Sequence, residues 1–564
     1  MVNWRIKLVF LFLFCFSLLI FWRLYYLQVE KREYYKALAL GQHIYFENIK
    51  GKRGEIFFND NKTSLAKTER KNLLYLFPKK IPQSQLKKTV KILSEILKEK
   101  EENLMIFVKK NQIFKKEISS TILKKIESKK LKGIVAESFW GRIYPQKRIT
   151  SHVVGFINTE GIGQYGIEAF YDELLKGKEK LIQKEKAPFG YFVSLLEKNN
   201  EIIPLKGMDI ILTLDYKLQY FCQKLLEKAK ELWDVDSAQI GVIIPQTGEI
   251  LALAVWPNFD PNYYWKEKNL EIFLNPISQS LFEPGSVLKP LTMIAGLEEE
   301  LIVPETTYID EGYVKIKGRP IYNFGRRIWG EQSMVGVLKH SINTGAVFVQ
   351  QKLGEKSFLK YLRKFGLFEK TGIDLPKETF SENKNLTKIS HPRNLATASF
   401  GQGIEITPIQ LIRIFGAIAN GGNLMRPFIV KKIIKFNGET IEIQPQIQRK
   451  VFSKKTAEIL TSMLVQVIES GAAQKAQITG YFIAGKTGTA QVPLKEKRGY
   501  SESETIHTFI AFFPAFEPKF LIFIKLDNPK QVKMSSHSTV PLGRDLIKYI
   551  INSWQIPPDY TEPI

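Results

Sequence analysis

The sequence has only two cysteines, Cys15 and Cys222, in 564 residues. Two are too few for a disulfide framework or a Cys-rich zinc site. Cys15 lies in a hydrophobic N-terminal run and Cys222 in a Lys-rich helical pattern far along the chain, so neither a bridge nor redox chemistry is expected. Histidine is scarce too: there are six, and no two have the HExxH spacing of a metal hydrolase. No metal and no cofactor is expected. Acidic residues are in deficit, with 57 Asp and Glu against 82 Lys and Arg, a net charge of +25. Such an excess invites nucleic acid. Zinc-finger spacing, an RNP-type aromatic strand and a basic leucine zipper are all missing, however. The densest basic stretch, Lys79 to Lys132, alternates paired lysines such as Lys87-Lys88 and Lys124-Lys125 with Ile, Leu and Glu. That pattern suits solvated faces of helices and strands, so the charge predicts no nucleic-acid partner. With 44% hydrophobic and 25% charged residues, the composition excludes global disorder and a multi-span membrane protein.

Long apolar runs are absent except for one, Leu8 to Trp22. A span needs roughly twenty residues, so this run crosses only if Arg23 snorkels and Trp22, Tyr25 and Tyr26 sit in the aromatic belt. No small-residue cleavage site follows it, which favours an uncleaved signal-anchor. Arg5 and Lys7 before the run face Arg23, Lys31 and Arg32 after it, so charge alone leaves the orientation open. Everything after about residue 30 is expected on one side.

The remaining length suits two or three further domains. Residues 45–208 mix short strands, Gly and Pro punctuation and Lys-rich helices, an irregular α+β pattern. The character changes at 209–256. DIILTLD reads as a strand, YKLQYFCQKLLEKAKELW as an amphipathic helix, and SAQIGVIIP with ILALAVWP as a hairpin. YFIAGKTGTAQV, TIHTFIAFFP and FLIFIKLD add strands near the C-terminus, with helices such as VLKPLTMIAGLEEE and TPIQLIRIFGAIAN between. Strands at both ends with helices between them predict an α+β domain whose antiparallel sheet is closed by its terminal segments. Residues 556–564 read as a tail.

Three short motifs carry chemistry: Ser286-Val287-Leu288-Lys289, Ser341-Ile342-Asn343 and Lys486-Thr487-Gly488-Thr489. Each alone is ordinarily a capping serine or a surface lysine, and the chain holds rivals. Ser64/Lys67, Ser84/Lys87, Ser357/Lys360 and Ser381/Lys384 repeat the first spacing, Ser381/Asn383 the second, and Lys370-Thr371-Gly372 the third. Context chooses among them. Ser286 follows Pro284-Gly285 and opens a helical pattern, where backbone N–H groups point outward, and Lys289 lies one turn on, on the same face. Lys486 is flanked by Ala484-Gly485 and Ala490, small enough for a substrate backbone to approach.

A serine hydroxyl needs a nearby base to act as a nucleophile. Lysine can serve only when neutral, and moving its pKa from about 10.4 to about 7 takes roughly 4.6 kcal/mol. Burial of Lys289 and repulsion from Lys486 are expected to supply this. Ser341 would bridge the lysines and relay a proton, and Asn343 would orient Lys289 and a substrate amide. The N–H groups of Ser286 and Thr489 would form an oxyanion hole. Lys486 with the hydroxyls of Thr487 and Thr489 suits a substrate carboxylate, Gly488 lying between them.

These motifs, in this order, resemble those of class B penicillin-binding proteins, monofunctional peptidoglycan D,D-transpeptidases. Flanking stretches share the resemblance: GVIIPQTGEILALAVWPNFDPN, FEPGSVLKP, SFGQGIEITPIQL, AIANGG and IHTFIAFFP. Residues 45–208 are similar to the family's pedestal, or dimerisation-type, domain through Arg53-Gly54-Glu55-Ile56, Arg142-Ile143-Tyr144-Pro145, His152, Gly155 and Gly166-Ile167-Glu168. Two departures stand out. Phe58-Asn59-Asp60-Asn61 replaces the usual Asp-Arg-x-Gly turn, with Asn61 able to take the left-handed conformation, and Lys147 replaces a glycine. The resemblance implies a cytoplasmic tip and transmembrane anchor over 1–30, a pedestal over 45–208 and a transpeptidase domain over 235–555. It further implies D-Ala-D-Ala stem peptides as substrate, β-lactams as inhibitors and a membrane-embedded glycan polymerase as partner. The expected location is the bacterial plasma membrane, with the catalytic domain outside the cytoplasm. The glycosyltransferase signature of bifunctional relatives is missing. Asn343 looks more like the septal than the elongation branch. An elongation role, a hydrolytic D,D-carboxypeptidase or β-lactamase, and a non-catalytic β-lactam-binding scaffold are the competing readings.

Overall fold

The computed structural model describes residues 3–35, 44–49, 51–178, 180–186, 192–193, 206–388, 391–494 and 499–560. They fall into two compact units, Met1–Arg53 with Lys176–Gly207, and Gly54–Leu175 with Met208–Ile564. In the first unit, helix α1 (Trp4–Tyr25) is apolar with no buried residue. Its 22 residues span about 33 Å at 1.5 Å per residue, matching a hydrocarbon core of about 30 Å. Among the described residues it is the one helix long and apolar enough to cross a membrane. The same unit pairs Ile44–Ile49 with Lys180–Lys186 in an antiparallel ladder.

In the second unit, β1 (Ile56–Phe57) and β2 (Ser64–Leu76) are antiparallel. In the turn between them the Asp60 carboxylate accepts from the N–H groups of Lys62 and Thr63, and Asn61 has φ of 53°. Asn61 therefore takes the left-handed position that the relatives' glycine is expected to fill. Helices α2 (Leu86–Leu97), α3 (Glu101–Lys109) and α4 (Ser120–Ser128), with strands β3 (Phe114–Ile118) and β4 (Ile134–Ile143), surround a small separate core that includes Leu74, Val90, Leu93, Leu104 and Ile126. On α2 the buried residues Val90, Leu93 and Leu97 recur at helical spacing. Lys87, Lys88 and Lys91 are exposed, so these lysines are the solvated face the sequence predicts.

Three pedestal motifs converge on one buried ion pair. Arg142 donates from Nε to Glu168 Oε1 at 2.6 Å, and from Nη1 to the Gly54 carbonyl at 2.6 Å and to Thr68 Oγ1 at 2.9 Å. The Tyr144 hydroxyl donates to the same glutamate oxygen at 3.2 Å. Gly166 has φ of +51°, and a Cβ there would meet the Val153 carbonyl oxygen at 2.3 Å, so glycine alone fits the turn that delivers Glu168.

Strand β5 (Asp209–Leu212) pairs in parallel with β1 and antiparallel with β8 (Val430–Ile434), which continues to β9 (Thr440–Glu442). One sheet, in the order β9-β8-β5-β1-β2-β3 with β4 also on β2, thus runs from the pedestal into the catalytic half. Asn262 clasps the Tyr144 backbone with two 2.9 Å bonds. Buried His152, its pKa lowered to about 4 by desolvation, bonds through Nε2 to the Ile272 carbonyl at 2.9 Å, and Phe156 stacks on Tyr264 at 4.2 Å.

The catalytic sheet takes β6 (Ser237–Ile243) and β7 (Ile250–Trp256) from its beginning, and β10 (Ala484–Pro493), β11 (Tyr500–Phe513) and β12 (Phe520–Asp527) from its end. They lie antiparallel in the order β7-β6-β12-β11-β10, the closure that the strand placement predicts. The first and last helices, α5 (Tyr216–Trp233) and α10 (Thr539–Trp554), lie side by side, Phe221 stacking on Tyr549 at 3.9 Å. Between the terminal strands come α6 (Lys289–Glu298), α7 (Asn343–Lys364), α8 (Pro408–Ala419) and α9 (Lys454–Ser470). Every residue of α8 is buried, Gln410 and Arg413 included, which explains its largely apolar composition without a membrane.

Two substitutions test this account by urea denaturation. Glu168→Ala strands the buried Arg142 charge and should remove roughly 3–5 kcal/mol. Lys147, held at φ of 50°, should gain about 1 kcal/mol on replacement by Gly.

Candidate active site

The nucleophile turn is shaped by what its residues cannot do. Pro290 has no N–H, so the α-helical bond back to the Ser286 carbonyl cannot form. That carbonyl instead accepts from the Lys289 N–H, and Gly285–Leu288 winds as a 3₁₀ turn ahead of α6. Gly285 has φ of +60° and donates its N–H to the Gly401 carbonyl at 3.0 Å. A Cβ on Gly401 would lie 2.1 Å from the Gly285 oxygen. Val287 and Leu288 are fully buried and fix the turn, leaving Ser286 partly exposed.

Lys289 Nζ lies 3.0 Å from Ser286 Oγ and 3.1 Å from Ser341 Oγ, and donates to the Ser341 carbonyl at 2.5 Å. Lys486 Nζ lies 3.1 Å from the same Ser341 hydroxyl and donates to the Thr487 carbonyl at 3.1 Å. Both lysines are 0% exposed, and no carboxylate forms an ion pair with either among the described residues. Burial pushes the Lys289 pKa well down, and the charge of Lys486 lowers it further. Burial alone takes Lys486 to about 7. A neutral Lys289 that donates to the Ser341 carbonyl keeps its lone pair for the Ser286 proton.

Ser341 has φ of +58°, left-handed backbone that disfavours a side chain by about 1 kcal/mol. Such strain tends to sit at functional positions. Asn343 is placed differently from the sequence expectation. Its amide donates to the Tyr322 carbonyl at 3.1 Å, and among the described residues no hydrogen bond joins it to Lys289.

Among the described residues strand β10 is the last of its sheet, which leaves one edge of its backbone to pair with an extended chain. A Cβ on Gly488 would lie 3.1 Å from the Pro284 carbonyl oxygen, so a larger residue would press the strand against the nucleophile turn. Thr487 is buried. The Thr489 hydroxyl is tied to Ser535, donating to its Oγ at 3.0 Å and accepting from its N–H at 3.2 Å. Sequence reasoning missed Ser535, whose only signal is the hydroxyl-rich run Met534 to Thr539. On the neighbouring strand β11, in register with Thr489, buried His507 bonds through Nδ1 to Ser538 Oγ at 2.7 Å; desolvation lowers its pKa to about 4.

Two of the rival motifs serve other ends. Thr371 donates through N–H and hydroxyl to Glu378, and Asn383 donates its N–H to Ser381 Oγ within a loop. Among the described residues no cluster of His, Cys, Asp and Glu could hold a metal ion.

Comparison with known proteins identifies the family. The family described as Penicillin binding protein transpeptidase domain matches residues 239–548, and the Penicillin-binding Protein dimerisation domain matches residues 48–212. Stage V sporulation protein D of Bacillus subtilis is 32% identical over 94% of this chain and 82% of its own length. A Peptidoglycan D,D-transpeptidase FtsI homolog of Mesostigma viride is 28% identical over 98% of this chain and 96% of its own. The crystal structure of penicillin-binding protein 3 from Mycobacterium tuberculosis, complexed with ampicillin, has a TM-score of 0.71 at 25% identity and covers 92% of this chain and 98% of that one. With both domains matched in order along most of its length, the protein belongs to the class B penicillin-binding proteins and is a serine-type D,D-transpeptidase.

Proposed function

We propose that this chain cross-links peptidoglycan stem peptides through an acyl-enzyme on Ser286, in septal wall synthesis. The observation that carries the reading is Lys289 Nζ, buried, depressed in pKa and 3.0 Å from Ser286 Oγ. Lys289 takes the hydroxyl proton as Oγ attacks the penultimate D-Ala carbonyl. The C–N bond then breaks, the terminal D-Ala leaves with a proton relayed through Ser341, and an amine from a second stem displaces Ser286 from the ester. The Ser286 and Thr489 N–H groups hold the oxyanion. Lys486, Thr487 and Thr489 receive the terminal carboxylate along the free edge of β10. Asn343, anchored to the Tyr322 carbonyl, faces the substrate amide.

By the same reading β-lactams acylate Ser286, α1 anchors the chain in the plasma membrane with the catalytic domain outside, and a membrane-embedded glycan polymerase is the partner. The septal assignment draws on Asn343 in the second motif. A role in sporulation is the second reading, favoured by the name of the Bacillus subtilis relative.

Labelled penicillin tests the chemistry: wild type should form a stable adduct and Ser286→Ala none. Liberated D-Ala without cross-linked dimer would mark a hydrolase instead, and fluorescence at the side wall or forespore would overturn the septal role. The acylation rate should rise with pH, because a protonated Lys289 cannot accept the serine proton. Lys486→Met removes the repulsion that helps depress Lys289. The Lys289 pKa should therefore rise, and the acid limb of the rate profile should move to higher pH, each unit of displacement lowering the rate on that limb about tenfold.

A further inference from the structure

Ser341 stands between the helix Met334–Lys339 and α7. Its N–H donates to the Leu338 carbonyl at 3.3 Å and the Ile342 N–H to the Val337 carbonyl at 2.9 Å. These two bonds close a helix around a left-handed residue. The position is ordinarily glycine, and here it carries a hydroxyl. Helix α7 then starts without a local cap: its N-cap is Ile342, which makes no side-chain bond, where Ser, Thr, Asp or Asn is preferred.

The orphan groups are satisfied from twenty residues upstream. The N–H groups of Asn343 and Thr344 both donate to Asn323 Oδ1, at 3.0 and 3.1 Å. Asn323, 4% exposed, is oriented in turn by Asp310, 1% exposed, whose two oxygens each accept from Asn323 Nδ2 at 2.9 Å. Asp310 also accepts from the Trp329 N–H at 2.9 Å and the Thr344 hydroxyl at 2.6 Å. With the amide nitrogen committed to a carboxylate, the amide oxygen faces the helix. The reversed amide would set its NH₂ against two N–H donors.

We propose that Asn323, held by Asp310, is a positioning residue for acylation: it caps α7 from outside the helix and so fixes the Ser341 hydroxyl between Lys289 and Lys486. The inference rests on Ser286 being the nucleophile. Ser341 Oγ sits 3.1 Å from each lysine nitrogen, and a misplacement of about 1 Å in such an array lowers a rate on the order of a hundredfold. A cap that served only stability would change how much protein is folded, not how fast the folded protein reacts.

The full chain is titrated with labelled penicillin, giving the acylation rate constant at saturation, the apparent binding constant and the final amount labelled. Asn323→Ala should lower the rate constant about tenfold to a hundredfold, with the binding constant changed less than about threefold and labelling of the folded protein complete. Asp310→Asn, nearly the same shape, should show a smaller fall. Wild-type rate constants in both variants, or reduced labelling at an unchanged rate constant, overturn the proposal. If Asn323→Ala gives no cooperative melt, Asp310→Asn decides alone, and loss of the fold in both also overturns it. A wild type that takes no label, or a labelled Ser286→Ala, sinks the nucleophile and this inference together; labelled wild type with unaffected variants sinks the inference alone.

Discussion

Two lysine amines buried against one serine hydroxyl are the constraint around which the catalytic half is organised. The Lys486 pKa of about 7 lies below the ordinary 10.5, so between those values the unfolded chain binds more protons than the folded one. The resulting destabilisation is complete below about pH 7 and is relieved as pH rises toward 10.5. Its size is roughly 5 kcal/mol for that one group, comparable to the whole stability of a small domain. The sheet and α6–α9 must bury enough apolar surface to offset it. That Lys289 sits on α6, buried along nearly its whole length, and Lys486 on the buried first half of β10, follows from the same demand: a lysine in water would stay charged and could not take a proton.

The motifs were legible because their spacing is local. Ser286 and Lys289 are one helical turn apart, and the strands of the catalytic sheet announced themselves by β-rich runs between turn residues. The sheet closure followed from strands at both ends of the domain. Other parts left no local trace. The tie between Thr489 and Ser535 joins residues 46 apart, and the cap that Asn323 provides for α7 joins residues 20 and 21 apart; hydrogen bonds of that kind have no period to detect. Asn343 shows the limit of reading roles from a triplet: the motif located the residue, but the carbonyl of Tyr322 decided where its amide points.

Strain and substitution sort differently in the two halves. Among the pedestal's non-glycine residues with positive φ are Asn61, which tolerates the conformation, and Lys147, which does not do so readily. Neither lies near the lysine pair. At Ser341 the same backbone conformation carries a side chain that glycine could not supply, and the surrounding bonds from Leu338, Val337 and Asn323 over-determine it. Beside the nucleophile the left-handed geometry is held in place from three directions.

Strand β5 has one neighbour from the pedestal and one from the catalytic half. The two are therefore joined by a ladder of backbone hydrogen bonds and not only by a covalent linker. A pull along β5 meets that ladder in shear, where the bonds of the short pairing with β1 must yield together, while a hinge at a linker would open one contact at a time. Force arriving at the pedestal thus reaches the strand that leads directly into α5 and the catalytic sheet.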